Sequence, residues 1–163
     1  MRNKISLIVL LTVTLFILGC LNDDDNPTAP TIVATEEWGF IMNNDSVNHG
    51  EATLEKKSDG SISTNAVWNF VQDGYNVECP VEGGEVIVNG DSILVTAQGI
   101  ATNPNPNIPA GYNTSPFTIN IIGYANDGQS HGDWGIGFST YGWPQTLQGT
   151  YTATRKSGAG VTN

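Results

Sequence analysis

Few residues of this chain have the chemistry of a reactive centre, and the densest group lies in one short stretch. Gly128-Gln129-Ser130-His131-Gly132 has the G-x-S-x-G spacing of a nucleophile elbow, in which a serine on a sharp turn is activated by a histidine further along the chain. The motif works only where a strand leads through the turn into a helix. No helical periodicity follows Gly132, and the only later histidine is the adjacent His131. Asn126-Asp127-Gly128 reads instead as a hairpin turn. Ser130 is therefore expected to do no chemistry, and no catalytic residue is assigned.

The remaining polar candidates are sparse. His49 and His131 are the two histidines, and both fall in Gly- and Asn-rich stretches. Zinc binding or acid–base work needs convergent partners, and sequence offers only Asp45, Glu51 or Asp133. Asn126, Asp127 and Asp133 carry oxygen ligands suited to calcium, without the spacing of a calcium loop. No metal and no cofactor is expected. Cys79 shares strand parity with Tyr75 and Val77, which makes it a small core residue; nothing cationic nearby would lower its pKa. Two aromatics have the chemistry of a binding surface. Trp143, between Gly142 and Pro144, and Tyr112, in a Pro-rich stretch, would make a platform for sugar rings. The competing reading folds Trp143 back to cap the core.

The N-terminal stretch says more. Arg2 and Lys4 precede an uncharged apolar run from Ile5 to Leu18, which ends at Ile17-Leu18-Gly19-Cys20. A basic start, an apolar run of this length and a small residue before the cut are the layout of a secretory signal. The run is several residues short of the roughly 20 needed to span a bilayer as a helix. Ile17 to Cys20 resembles the lipobox of bacterial lipoproteins. That resemblance implies a signal peptide over residues 1–19, cleavage before Cys20 and acylation of Cys20, which would anchor the protein in the cell envelope. In a Gram-negative cell the expected site is the outer membrane, because Leu21 replaces the Asp that retains many such proteins in the inner one. Asp23-Asp24-Asp25 is similar to the acidic run of surface-exported Bacteroidetes lipoproteins, or is simply a solvated linker. Residues 20–30 form a polar tether broken by Pro27 and Pro30, able to reach about 33 Å.

Composition narrows the partners. The chain has 16 acidic and 6 basic residues; without Arg2 and Lys4 the formal charge becomes −12. Such a field repels phosphate backbones, so nucleic acid is not an expected partner. With Cys20 committed to lipid, Cys79 has no disulfide partner.

These residues must be positioned by strands. Apolar residues from 31 to 163 alternate, and turn dipeptides separate short runs: Ile32–Met42, Gly50–Lys57, Ile62–Val71, Tyr75–Cys79, Gly84–Val88, Ser92–Ala101, Pro116–Tyr124, Asp133–Thr140 and Leu147–Arg155. Asn89-Gly90 suits a type I′ hairpin, and Asp59-Gly60, Asp73-Gly74 and Asp127-Gly128 give similar signals. Pro80 and Pro144 should end their strands or lie at an edge. Asn103 to Thr114 is the one long connection. One-sided alternation belongs to antiparallel sheet. The expectation is a single all-β domain over residues 31–163, an antiparallel meander of eight or nine strands. A closed barrel is favoured over a sandwich, since closure removes sheet edges. Trp38 in the first run and Arg155 in the last resemble the pair that closes the base of a lipocalin barrel. Glu36 stands where that pattern has Gly, and no C-terminal helix follows. The function expected is a lipid-anchored, non-enzymatic protein holding a small apolar or amphipathic ligand in its barrel. The alternative is a surface protein for glycan or protein, acting through Tyr112 and Trp143.

Overall fold

The computed structural model describes residues 29–162. The expected signal peptide, the expected lipidation at Cys20 and the expected tether through residue 28 lie outside them. Among the described residues all regular structure is β: β1 (Ile32–Met42), β2 (Asp45–Lys57), β3 (Ile62–Gln72), β4 (Tyr75–Asn89), β5 (Ser92–Thr102), β6 (Thr114–Asn126), β7 (Gln129–Phe138) and β8 (Thr146–Ala159). Each strand pairs antiparallel with the next, and β8 returns to pair with β1, so the meander closes into a barrel.

Turn chemistry sets the registers. Asn43-Asn44, Asp73-Gly74 and Asp127-Gly128 place both central residues at positive φ, the type I′ geometry that matches strand twist. The β4–β5 turn differs from the sequence expectation. Its centre is Gly90-Asp91, because Asn89 already pairs with Ser92. Gly90 alone has positive φ (58°), which fits glycine in the first position of a type II′ turn.

Nine runs become eight strands at Pro80. Tyr75–Cys79 and Gly84–Val88 are parts of one strand, β4. Pro80 was expected to end its strand or lie at an edge; it does not end β4 but sits where the ladder with β3 stops. Lacking an N–H, it is the last partner of β3, opposite Val67. β5 carries β4 on past an irregularity between Val81 and Gly83.

The alternation read from sequence sets the interior. Trp134, Ile136 and Phe138 of β7 point inward, as do Phe117 and Ile119 of β6 and Tyr151 and Ala153 of β8. Toward the upper end, where β1 finishes and β8 starts, the filling is aromatic. Trp68 stacks on Phe70 at 4.8 Å and meets Trp134 at 5.2 Å; Phe138 meets Phe70 at 5.8 Å and Trp143 at 5.2 Å.

The lower end is closed around one carboxylate. Trp38 lies directly opposite Arg155 in the β1–β8 ladder, the pairing that closure requires. The two side chains meet through Glu36. Arg155 Nη1 donates to Glu36 Oε1 at 2.9 Å, and Trp38 Nε1 donates to Oε2 at 3.1 Å. Gly158 near the end of β8 and Gly160 just past it have positive φ, and from there the chain turns back over the opening. Its Thr162 Oγ1 (2.6 Å) and the amides of Val161 and Thr162 (3.2 Å each) also donate to Glu36. Glu36, the residue that departs from the lipocalin pattern, is fully buried and joins both strands to the tail.

Burial alone raises the Glu36 pKa. The hydrogen bonds from Thr162, Trp38 and the Val161 amide outweigh it and hold the carboxyl below its usual 4.5. A depressed carboxyl pKa contributes stability that is present above about pH 4.5 and lost as pH falls through the folded value. Glu36→Gln should therefore cost about 3 kcal/mol at pH 7, because Arg155 loses its charged acceptor inside the fold. The gap from wild type should narrow as pH drops from 5 to 3, in urea midpoints measured across that range. Lys156→Ala, which removes only a surface pair with Glu51, should cost less than about 1 kcal/mol.

Candidate functional site

Between the aromatic layer and the Glu36 network the barrel is not filled. A cavity of about 90 Å³ remains, with walls from every strand. Its large residues are Trp38, Phe40, Leu54, Trp68 and Tyr151. The space itself comes from small side chains at inward positions: Ala52, Ala66, Ala97, Ala125 and Ala153, with Thr64 and Ser130. An eight-stranded barrel is just wide enough for ordinary side chains to fill, so a belt of alanines leaves a void. Val81, Ile93, Val95, Ile119 and Ile121 complete an apolar lining.

No ionisable carboxylate, amine or imidazole lines the cavity. Its polar feature is a pair: Ser130 Oγ and Tyr151 OH lie 2.9 Å apart and buried. Burial pushes the Tyr151 phenol up, and the Ser130 bond partly offsets that. Gly123 makes the pair possible, since a Cβ there would fall 2.4 Å from the Tyr151 oxygen. Trp68 Nε1 is buried without a hydrogen-bond partner, an uncommon state for an indole N–H.

Ser130 thus sits inside the barrel on β7, bonded to Tyr151. His131, one residue on, faces the opposite way, exposed beside Tyr124 at 6.1 Å. Alternation along a strand separates the serine from the histidine that the motif would need. His49 is also exposed, on β2. Asp127 and Asp133 lie on the outside in the β6–β7 turn and on β7. Among the described residues no group of three His, Cys, Asp or Glu side chains is arranged to hold a metal ion.

The two aromatics proposed for surface binding part company. Trp143 is buried against Phe138, and its Nε1 donates to the Tyr112 carbonyl at 2.7 Å. It caps the core and ties down the long 103–113 connection. Tyr112 keeps its ring half-exposed, and Tyr141 is 89% exposed. Together with Ile108 and Pro109 they line an open groove on the upper rim. Sequence reasoning expected a ligand inside the barrel but assigned binding to Tyr112 and Trp143, neither of which lines the cavity. Its signal was the recurrence of Ala at inward parity on five strands, which reads as ordinary core until the strands are wound into a barrel.

No known protein family, curated protein or solved structure matches this chain.

Cys79 is fully buried, and desolvation, with Glu78 adjacent, pushes its thiol up to about 12. The thiolate is the reactive form, so native protein at pH 8 should resist maleimide for hours. Modification of Cys79 should appear only in denaturant, as read by mass spectrometry.

Proposed function

We propose that this protein is a lipid-anchored component of the cell envelope that holds a small apolar ligand, or the apolar tail of an amphipathic one, inside its barrel. The observation that carries the reading is the apolar cavity of about 90 Å³ lined by residues of all eight strands. A void of this kind costs stability, on the order of 20 cal/mol per Å³ in core-truncation series, and so is not expected of a barrel whose interior serves packing alone. Its size constrains the occupant. A cavity near 150 Å³ takes benzene, so this one takes a few methylenes and not a bulky ring system. Each buried methylene contributes about 0.8 kcal/mol. The lining offers no charge to neutralise an acid or amine, so the enclosed part is uncharged. The anchor in this reading is acylated Cys20, and the work is done by binding without catalysis.

A surface-binding role for glycan or protein draws support from the exposed Tyr112 and Tyr141 on the upper groove. It is the weaker reading, because Trp143, the largest aromatic there, has its ring turned into the core.

A brominated alcohol such as 11-bromo-1-undecanol tests the interior site directly, because bromine quenches indole fluorescence on contact and Trp38 and Trp68 line the cavity. Saturable quenching is expected. Ala97→Leu, which places three more carbons in the void, should weaken binding at least tenfold while leaving the melting temperature unchanged or higher. Absence of saturable quenching in wild type would remove the internal ligand. Separately, Cys20→Ala should release the protein from membranes in fractionated cells and abolish incorporation of labelled palmitate.

A further inference from the structure

We propose that the cavity is loaded sideways, through a seam in the barrel wall between β3 and β4. This rests on the interior-ligand reading and adds its route. The β3–β4 ladder runs only from Gln72↔Tyr75 to Val67↔Pro80. The flanking ladders continue beyond that level: β2 holds β3 as far as Ile62, and β5 holds β4 as far as Asn89. Below Pro80, two strands that are neighbours in the barrel therefore run on with no ladder between them.

The cause is local and chemical. Pro80 has no N–H to continue the ladder, and β4 is irregular between Val81 and Gly83, where a bulge redirects the strand. The strands part enough to leave an open groove of about 310 Å³ between Gly60–Ile62 and Glu85–Val88. Above it, Thr64 and Ala66 on one side and Val81 on the other belong to the wall of the internal cavity. The seam thus has the outer groove at its foot and the cavity behind it.

The ends offer no comparable route. Below, Glu36, Val161 and Thr162 are buried and bonded to one another. Above, Phe138 packs on Trp143, and Trp143 is bonded to Tyr112 of the long connection. Opening either end means separating hydrogen bonds or stacked rings. Widening the seam breaks no ladder bond.

The test uses the full chain with Cys20→Ala, leaving the inert Cys79 in place. Asn65→Cys with Glu82→Cys, both exposed, puts one thiol on each side of the seam for a bismaleimide carrying a cleavable disulfide. Tyr112→Cys with Tyr141→Cys gives the matching clamp on the upper rim. Stopped-flow quenching by 11-bromo-1-undecanol reads the association rate, and the equilibrium amplitude reads the site itself. The seam clamp should slow association at least tenfold, with the rate restored by reducing the linker, while the rim clamp leaves it unchanged. Unchanged kinetics with the seam clamped, or slowing by the rim clamp, overturns the proposal. Loss of quenching amplitude in the unclamped protein would instead overturn the interior site. Hydrogen exchange checks the seam without any ligand. Among residues 62–66 and 81–88, the amides that point across the seam, and not into the ladders with β2 and β5, should exchange at least tenfold faster than the amides of 67–72 that bond to β4; equal protection would show the seam to be closed.

Discussion

Every part of this barrel depends on β8 meeting β1, and that meeting is secured by a buried carboxylate. Removing an ionised carboxyl from water costs several kcal/mol unless donors replace the lost hydration. Glu36 receives five: an indole from its own strand, a guanidinium from β8, and two amides and a hydroxyl from the tail. The requirement runs in both directions. The carboxylate is tolerable only because these groups converge, and they converge only when the barrel is closed. An apolar residue at position 36 would bury without penalty but would give Arg155 and the tail no common target. The arrangement therefore selects one register of closure, which hydrophobic contact alone would leave loosely specified.

The interior divides by residue size. The upper half is packed with Trp68, Phe70, Trp134, Phe138 and Trp143, whose rings lie within about 6 Å of their neighbours. The lower half carries the alanine belt and the void. Rigid packing above and the polar knot below hold the walls apart across the middle, which keeps the space from collapsing onto the small side chains. Stability and vacancy are thus placed in different layers of the same barrel.

Much of the architecture was legible because period-two alternation is a strong signal when one face is buried. The first run matches β1 residue for residue, and the inward faces of β6, β7 and β8 follow the parity read from sequence. Pro80 was left with two readings, the end of a strand or an edge position, because a missing N–H allows either and only the neighbouring strands decide between them. Glu36 looked like a departure from a barrel pattern, since sequence cannot show five donors arriving from up to 126 residues away. Trp143 was ambiguous for a similar reason: a Trp between Gly and Pro is free to turn either way, and the nearby Tyr112 carbonyl settles its direction. Residues 1–28, including the lipobox resemblance at Cys20, lie outside the described chain, so that reading still stands on its residues alone.

The meander topology has a kinetic consequence. Seven of the eight ladders join strands adjacent in sequence, and each can form as a hairpin, even β5 with β6 across the longer 103–113 connection. The eighth, β1 with β8, must bring together residues about 120 positions apart, such as Glu37 and Ser157. Loop closure over that length costs roughly 2 kcal/mol more than closure of a ten-residue hairpin. Closure is therefore the ladder that costs the most chain entropy, and it is expected to form after the hairpins. Until then β1 and β8 are both bare edges, able to pair with the edges of other chains. Pairing between half-closed sheets therefore competes with closure, and rises with the concentration of unclosed chains.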